Sequence, residues 1–211
     1  IAGSMAIDND DLEDSAAGKA DVSPGSRYLI KCVINNCRND GYITAKKDGV
    51  GGVAGYMKLG IIRGSTSFGS VRSSDGGICG QSLSMIVDSY SLCSVEGSKY
   101  VGGIAGYGDA IKNCYAMVYL EAESGRVGAI AGQTTAYEDE EEENDDKVVN
   151  NYYVDNGVHG IDGISYMGIA EPVTYDNLLK TAGVPSDFTH LRITFRVDDT
   201  NVGTREYAYG T

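Results

Sequence analysis

One short triplet, a bulky aliphatic residue followed by a small residue and a glycine, returns along this chain at a nearly constant interval. It stands as Val53-Ala54-Gly55, Ile78-Cys79-Gly80, Ile104-Ala105-Gly106 and Ile130-Ala131-Gly132, with spacings of 25, 26 and 26 residues. A fixed period of that size marks a solenoid or similar array, in which each unit buries its apolar face against the next. Further columns appear when the units are superposed. Ile34, Ile62, Ile86, Ile111 and Val149 align, each two residues before Asn36, Gly64, Asp88, Asn113 and Asn151. Cys37, Ser65, Ser89, Cys114 and Tyr152 come next, and Ile43, Val71, Val95 and Leu120 lie six residues beyond the first four of these. Stacked coils need such columns, because each residue sits about 4.8 Å above its equivalent and packs on it.

The fold class expected is therefore all-β, a parallel β-solenoid (β-helix) of about five coils of 24–28 residues, with about two or three short strands per coil. The glycines before each triplet (Gly51-Gly52, Gly76-Gly77, Gly102-Gly103, and Gly128 before Ala129) suit corners where neighbouring coils approach closely. Residues 49–54 formally match the dinucleotide-binding fingerprint, but no helical pattern follows and the same glycines recur where the match is lost. Beyond the array, Thr174 suits a helix N-cap, Val173 and Leu178 a hydrophobic staple, Gly183 the left-handed C-terminal position, and Pro185 a stop. That short helix is expected to cover the last coil. Leu191, Ile193, Phe195 and Val197 then alternate with Arg192, Thr194 and Arg196, as a half-buried strand does, and a second extended run follows. The organisation expected is a partial repeat with an acidic loop over 1–28, the solenoid over 29–168, a helical cap and linker over 169–190, and the start of a second small β module over 191–211.

The combination of Val101-Gly102-Gly103-Ile104-Ala105-Gly106 with Ile111-Lys112-Asn113-Cys114-Tyr115 resembles the GLUG-motif repeats of bacterial extracellular proteins. Such repeats occur in IgA-cleaving metallopeptidases and in large surface proteins of gut bacteria. The resemblance spans residues 29–168 and is weaker over 61–83, where the valine before the glycines is missing. It implies a parallel β-solenoid inside a long multidomain chain, an extracellular or cell-surface location, and further domains on both sides. It does not imply an activity.

Charge is uneven. The net charge of −13 is carried by two acidic segments, five acids among residues 8–14 and eight among residues 138–146, while the remaining acids balance the 17 Lys and Arg. A near-neutral body lacks the basic footprint that nucleic acid requires. No apolar run is long enough to span a membrane, so no insertion by this segment is expected. The chain opens on Ile1-Ala2-Gly3, the triplet itself, which reads as a cut through a preceding unit. Between that triplet and Ile34 lies either a long inserted loop or a degenerate coil in which Ala6-Ile7-Asp8-Asn9 copies Ala110-Ile111-Lys112-Asn113; the loop is favoured because nothing between Asp10 and Tyr28 repeats. The second acidic segment follows the triplet at Ile130, so both should leave the solenoid on one side, about 19 Å apart at four coil steps.

Chemistry is sparsely signalled. Cys32, Cys37, Cys79, Cys93 and Cys114 form no CxxC pair, and the last shares a column with Cys37 three coils away, about 14 Å by the stacking distance and beyond disulfide reach. They read as buried small residues. His159 and His190 stand singly, with no HExxH, and no GxSxG occurs. No catalytic, cofactor or metal residue is assigned, and an enzyme is not expected. The acidic run lacks the spaced pattern of a calcium loop. Fifteen tyrosines against three phenylalanines suggest ladders of stacked rings, some of them exposed. Candidate partner contacts are Tyr56 and Tyr107 after the triplets, and Glu138, Asp139, Glu140, Asp145 and Asp146 in the second acidic segment. The expected role is a non-catalytic structural or adhesive segment of a large surface or secreted protein that contacts host or cell-surface glycoproteins or glycans. The alternative is an accessory module, binding glycan or protein substrate for a secreted peptidase or glycan-active enzyme whose catalytic domain lies outside this stretch. Flanking sequence separates the two: a wall anchor favours the first, an HExxH domain the second.

Overall fold

The computed structural model describes residues 2–5, 33–46, 48–58, 60–134, 147–165, 168–198 and 200–208. The array is a stack of coils, a parallel β-solenoid whose walls are four parallel sheets. Sheet A runs through Ala2–Met5, Ala54–Met57, Cys79–Val87, Ala105–Lys112 and Ala131–Thr134, and its far half also takes in Val33–Asn35, Ile61–Arg63 and Val148–Val149. Sheet B stacks Arg38–Asn39, Thr66–Ser67, Tyr90–Ser91, Tyr115–Ala116, Asn151–Val154 and Ala170–Val173. Sheet C holds Tyr42–Thr44, Ser70–Arg72, Ser94–Gly97 and Tyr119–Ala122, and sheet D holds Asp75–Gly76, Tyr100–Gly102 and Arg126–Gly128. Each coil thus crosses four walls rather than the two or three strands expected, and many strands are only two or three residues long. The reason is local: outside sheet A, where Cys79–Val87 and Ala105–Lys112 run longer, a corner comes every few residues and leaves room only for short strands.

The columns decide the register. Ala2, Ala54, Cys79, Ala105 and Ala131 lie over one another in sheet A. The triplet aliphatics Val53, Ile78, Ile104 and Ile130 are completely buried, as are Ile62, Ile86, Ile111 and Val148 in the next column. The last of these corrects the sequence alignment by one residue: Ile111 pairs with Val148, not Val149, and Tyr115 with Tyr152. The left-handed corner explains the slip. Asn36, Gly64, Asp88, Asn113 and Asn150 all have φ between 49° and 56°, so the first asparagine of Asn150-Asn151 takes the corner. Asn and Asp tolerate this conformation better than other L residues because the short polar side chain bonds locally.

The residue after the corner builds a polar ladder inside the wall. The Ser65 and Ser89 hydroxyls donate to the carbonyls of Arg63 and Val87, at 3.0 and 2.8 Å. In turn the N–H groups of Cys37 and Ser65 donate to the hydroxyls one coil on, each at 3.2 Å, and Ser89 N–H reaches the Cys114 sulfur. The carboxamide of Asn151 closes the series, accepting from Cys114 N–H at 3.0 Å and donating to the carbonyls of Ile111 and Ile169. Each buried backbone donor that the corner frees is therefore satisfied by the next coil. Glycine is required where coils touch most closely: a Cβ on Gly102 would lie 2.0 Å from the Ala105 carbonyl oxygen and 2.7 Å from Gly132 N.

The short helix packs beside Asn151–Val154 of the last coil with Leu178 fully buried, and the coil has a further open edge at sheet A. That edge is met by an irregular return, in which the carbonyls of His159 and Gly160 accept from Ala129, Ile130 and Ala131 N–H and Ile161 bridges to Ala131. Sheet B then gains one more strand at Ala170–Val173. Thr174 is the N-cap as expected, its hydroxyl accepting from Asn177 N–H, and Gly183 has φ +88°, but the helix spans only Tyr175–Leu178. His190–Val197 and Thr200–Ala208 form an antiparallel hairpin. Its apolar residues Ile193, Phe195 and Val197 are 37, 48 and 58% exposed, not half-buried.

The segment between the first triplet and Val33 lies outside the described residues, but its flanks are placed. Ala2–Met5 lies on Ala54–Met57 and Val33–Asn35 lies on Ile61–Arg63, so both flanks belong to one coil. The second acidic segment departs after Ala131–Thr134 and returns at Val148, at the same corner of sheet A four coil steps away, about 19 Å along the axis. Replacing Ile104 with alanine, in this dry column, is expected to cost about 2–5 kcal/mol. Urea unfolding followed by circular dichroism reads that loss, and a value near zero contradicts the register.

Candidate functional site

The outer face of sheet B carries one aromatic or cationic residue per coil: Arg38, then Thr66 beside Phe68, then Tyr90, Tyr115 and Tyr152. The rings meet in two pairs. Phe68 and Tyr90 meet edge-on at 6.0 Å between centroids, Tyr115 and Tyr152 stack at 6.0 Å, and the Arg38 guanidinium lies 3.9 Å over the Phe68 ring. The segment leaving the helix runs back along this ladder as a strap. Tyr115 O–H donates to the Ala182 carbonyl (3.2 Å), and Phe188, in the 3-10 turn Ser186–Thr189, packs against both Tyr90 and Tyr115 and is fully buried. Asp187 accepts from Tyr90 O–H at 2.5 Å and pairs with Arg38 at 3.3 Å, while Arg38 also holds Asp40 at 2.9 Å. Burial, and after it the carboxylate of Asp187, pushes the Tyr90 phenol far above its ordinary range. That hydroxyl therefore stays a donor.

Beyond the strap, the corner between sheets B and C and the hairpin enclose an open groove of about 880 Å³. Gly41, Gly69, Ser70 and Ser94 make a low floor, and Tyr42 and Tyr119 rise from it, each 66% exposed. Asp187, His190, Arg196 and Glu206 line the facing side. Sequence reasoning did not single out this concavity. Part of it was legible: Tyr42 and Tyr119 each precede a residue of the Ile43 to Leu120 column, which is half-buried at these two levels, so strand alternation turns the rings outward. The other side of the groove comes from residues more than 60 positions away in sequence, which no periodicity announces.

The sequence candidates lie elsewhere. Tyr56 and Tyr107 are half-buried on the outside of sheet A, in a row where Tyr56, Gln81, Tyr107 and Gln133 follow one another. They are two coils apart rather than stacked, and Tyr107 rests instead on Tyr100, at 5.7 Å. Close by, Asp75 is fully buried. Its Oδ2 accepts from Gly49 N–H (3.3 Å) and from the Gln81 amide, and Lys99 pairs with Asp48 and lies over Tyr100. Glu138, Asp139, Glu140, Asp145 and Asp146 lie outside the described residues, as does Cys32. Of their surroundings the structure places Lys147, which pairs with Asp109 at 3.1 Å where the segment returns.

The thiols behave as interior residues. Burial pushes Cys79 and Cys114 up to about 12 and Cys93 to about 11, and Cys37 is half-buried. Thiolate, the nucleophile and metal ligand, is thereby disfavoured at the three buried positions. No group of three or more His, Cys, Asp or Glu suited to a metal occurs among the described residues. No helix among them is long and apolar enough to cross a membrane. Comparison with models of protein families, with curated proteins and with solved structures finds no match to this chain.

Two outcomes are expected. Phe188→Ala should free the strap, so that limited proteolysis cuts between residues 174 and 190 while the β signal in circular dichroism is retained; loss of the β signal at the same temperature as cutting would make the strap part of the core. The raised thiol values give the second. Above pH about 9 the unfolded chain loses protons that the folded chain keeps, so stability is complete below that pH and falls as pH rises toward 11–12. Cys79→Ala, in a column otherwise held by alanine, should cost about 1 kcal/mol or less at pH 7 and make the alkaline fall in melting temperature shallower.

Proposed function

We propose that this chain is a non-catalytic structural and adhesive segment of a large bacterial cell-surface or secreted protein, built from GLUG-like repeats and working outside the cell. The observation that carries the reading is the unbroken axial bonding: every wall of the coil is a parallel sheet whose hydrogen bonds run along the stack. A rod bonded in this way resists bending and stretching, which suits a spacer that holds a binding surface away from its anchor. The near-neutral body and its ring-bearing outer faces suit contact with glycoproteins or glycans rather than with polyanions. A second reading, an accessory substrate-binding module of a secreted peptidase or glycan-active enzyme, draws on the groove between sheet C and the hairpin, since a concave site with a few convergent polar groups is the usual form of a ligand site.

The test is adsorption of the purified chain to surfaces coated with a mixed mucin-type glycoprotein, followed by optical biosensing, with mass analysis of the coating before and after. Saturable binding at micromolar concentration with the coating intact is the expected result. Release of peptide or sugar fragments would reject the non-catalytic reading, and absence of any binding would leave a spacer without adhesive function.

A further inference from the structure

We infer that the groove between sheet C and the C-terminal hairpin is a binding site for a neutral oligosaccharide, held between Tyr42 and Tyr119. This deepens the adhesive reading and rests on it. The repeat sets the spacing. Tyr42, Ser70, Ser94 and Tyr119 occupy one outward row of sheet C in successive coils, so the two rings stand three steps, about 14 Å, apart with only serines between. Beside this row Gly41 and Gly69 keep the floor low at the Tyr42 end, since a Cβ on Gly69 would collide with the Gly41 carbonyl, and Cys93 and Val118 stand at the next two levels. Both rings are 66% exposed, whereas Val71 and Val95 of the neighbouring column are buried. A trough with a platform at each end and no bulk in the middle fits an extended ligand rather than a single small molecule.

The chemistry of the facing side selects the ligand. Asp187 is pre-positioned by Arg38 and Tyr90, and Arg196, Glu206 and His190 stand near it. Acceptors and donors thus alternate, and two guanidinium groups face three carboxylates across the groove as a whole. Hydroxyl groups, each donor and acceptor at once, can use such a mixed set. A polyphosphate or sulfated chain meets more carboxylates than cations, and through the middle of the floor, at Ser70 and Ser94, the backbone is already paired on both sides, which leaves an extended peptide only the sheet edges at Tyr42 and Tyr119. Tyrosine supplies what a sugar needs at its apolar face, a ring with a polar rim that stays wet without cost.

The experiment is calorimetric titration of the chain with neutral hexasaccharides of glucose, mannose, xylose and N-acetylglucosamine, their monosaccharides, a heparin hexasaccharide and an uncharged hexapeptide. At least one neutral hexasaccharide is expected to bind at submillimolar concentration, its monosaccharide at least tenfold more weakly. Tyr42→Ala and Tyr119→Ala should each weaken binding about tenfold and the pair about a hundredfold, with melting temperature unchanged because both side chains are exposed. Failure of all four neutral hexasaccharides, preference for heparin or the peptide, or full binding by the double variant would overturn the assignment. The glycoprotein-coated surface separates this from the broader reading: if the double variant still adheres as the unmodified chain does, the trough is wrong and adhesion stands, whereas if the unmodified chain does not adhere, adhesion itself fails.

Discussion

Every part of this molecule answers to the axial hydrogen bond between coils. Parallel strands about 4.8 Å apart bring each residue against its own equivalent above and below, so a side chain that suits one level must suit all of them. The triplet aliphatics therefore repeat with little variation, and the small column beside them admits only alanine and cysteine. Close approach also dictates glycine at Gly102, where any side chain would strike the backbone of the next coil. The same demand for sameness explains the left-handed corners. Four Asn or Asp residues and one glycine hold them, and the hydroxyl, thiol or carboxamide that follows links the corner to its neighbour.

Sameness along the axis leaves extra chain few places to go. Both long departures from the array occur at one corner of sheet A, where the chain leaves one half of the sheet and rejoins the other within the same coil. There the wall is continuous on both sides of the break, so added residues disturb no column. The wall-bound surface pairs, Lys147 with Asp109 and Arg72 with Glu96, sit on exposed ground where such contacts contribute little. The interior and the ladders carry the stability.

The outer faces are not equivalent, and the C-terminal strap makes the difference. Sheet B presents a row of rings that would otherwise lie open, and Phe188 with Asp187 covers it by packing on Tyr90 and Tyr115 and by fastening Arg38 and the Tyr90 hydroxyl. Sheet C keeps its face open. Because the strap ends beside it and the hairpin follows, the groove arises at the seam between repeat and non-repeat chain, where one side is periodic and the other is not.

That division also separates what could be read in advance from what could not. The period, the parallel β-solenoid, the buried triplets, the Thr174 cap and the common corner of the two inserted segments follow from columns of residue types, since stacking forces chemistry to repeat in sequence wherever it repeats in space. The alignment failed by one residue at Val148, where two adjacent asparagines fitted either register until backbone φ chose between them. Tyr42 and Tyr119 were visible as outward residues, but not as the ends of a trough. Asp187, Phe188, Arg196 and Glu206 belong to no column, and their placement depends on how the strap folds back over sheet B. Sequence alone determined the rod, because its interactions are between equivalent neighbours one period apart. Only the tertiary structure decided which face is covered and which is left open, because those contacts join residues with no periodic relation.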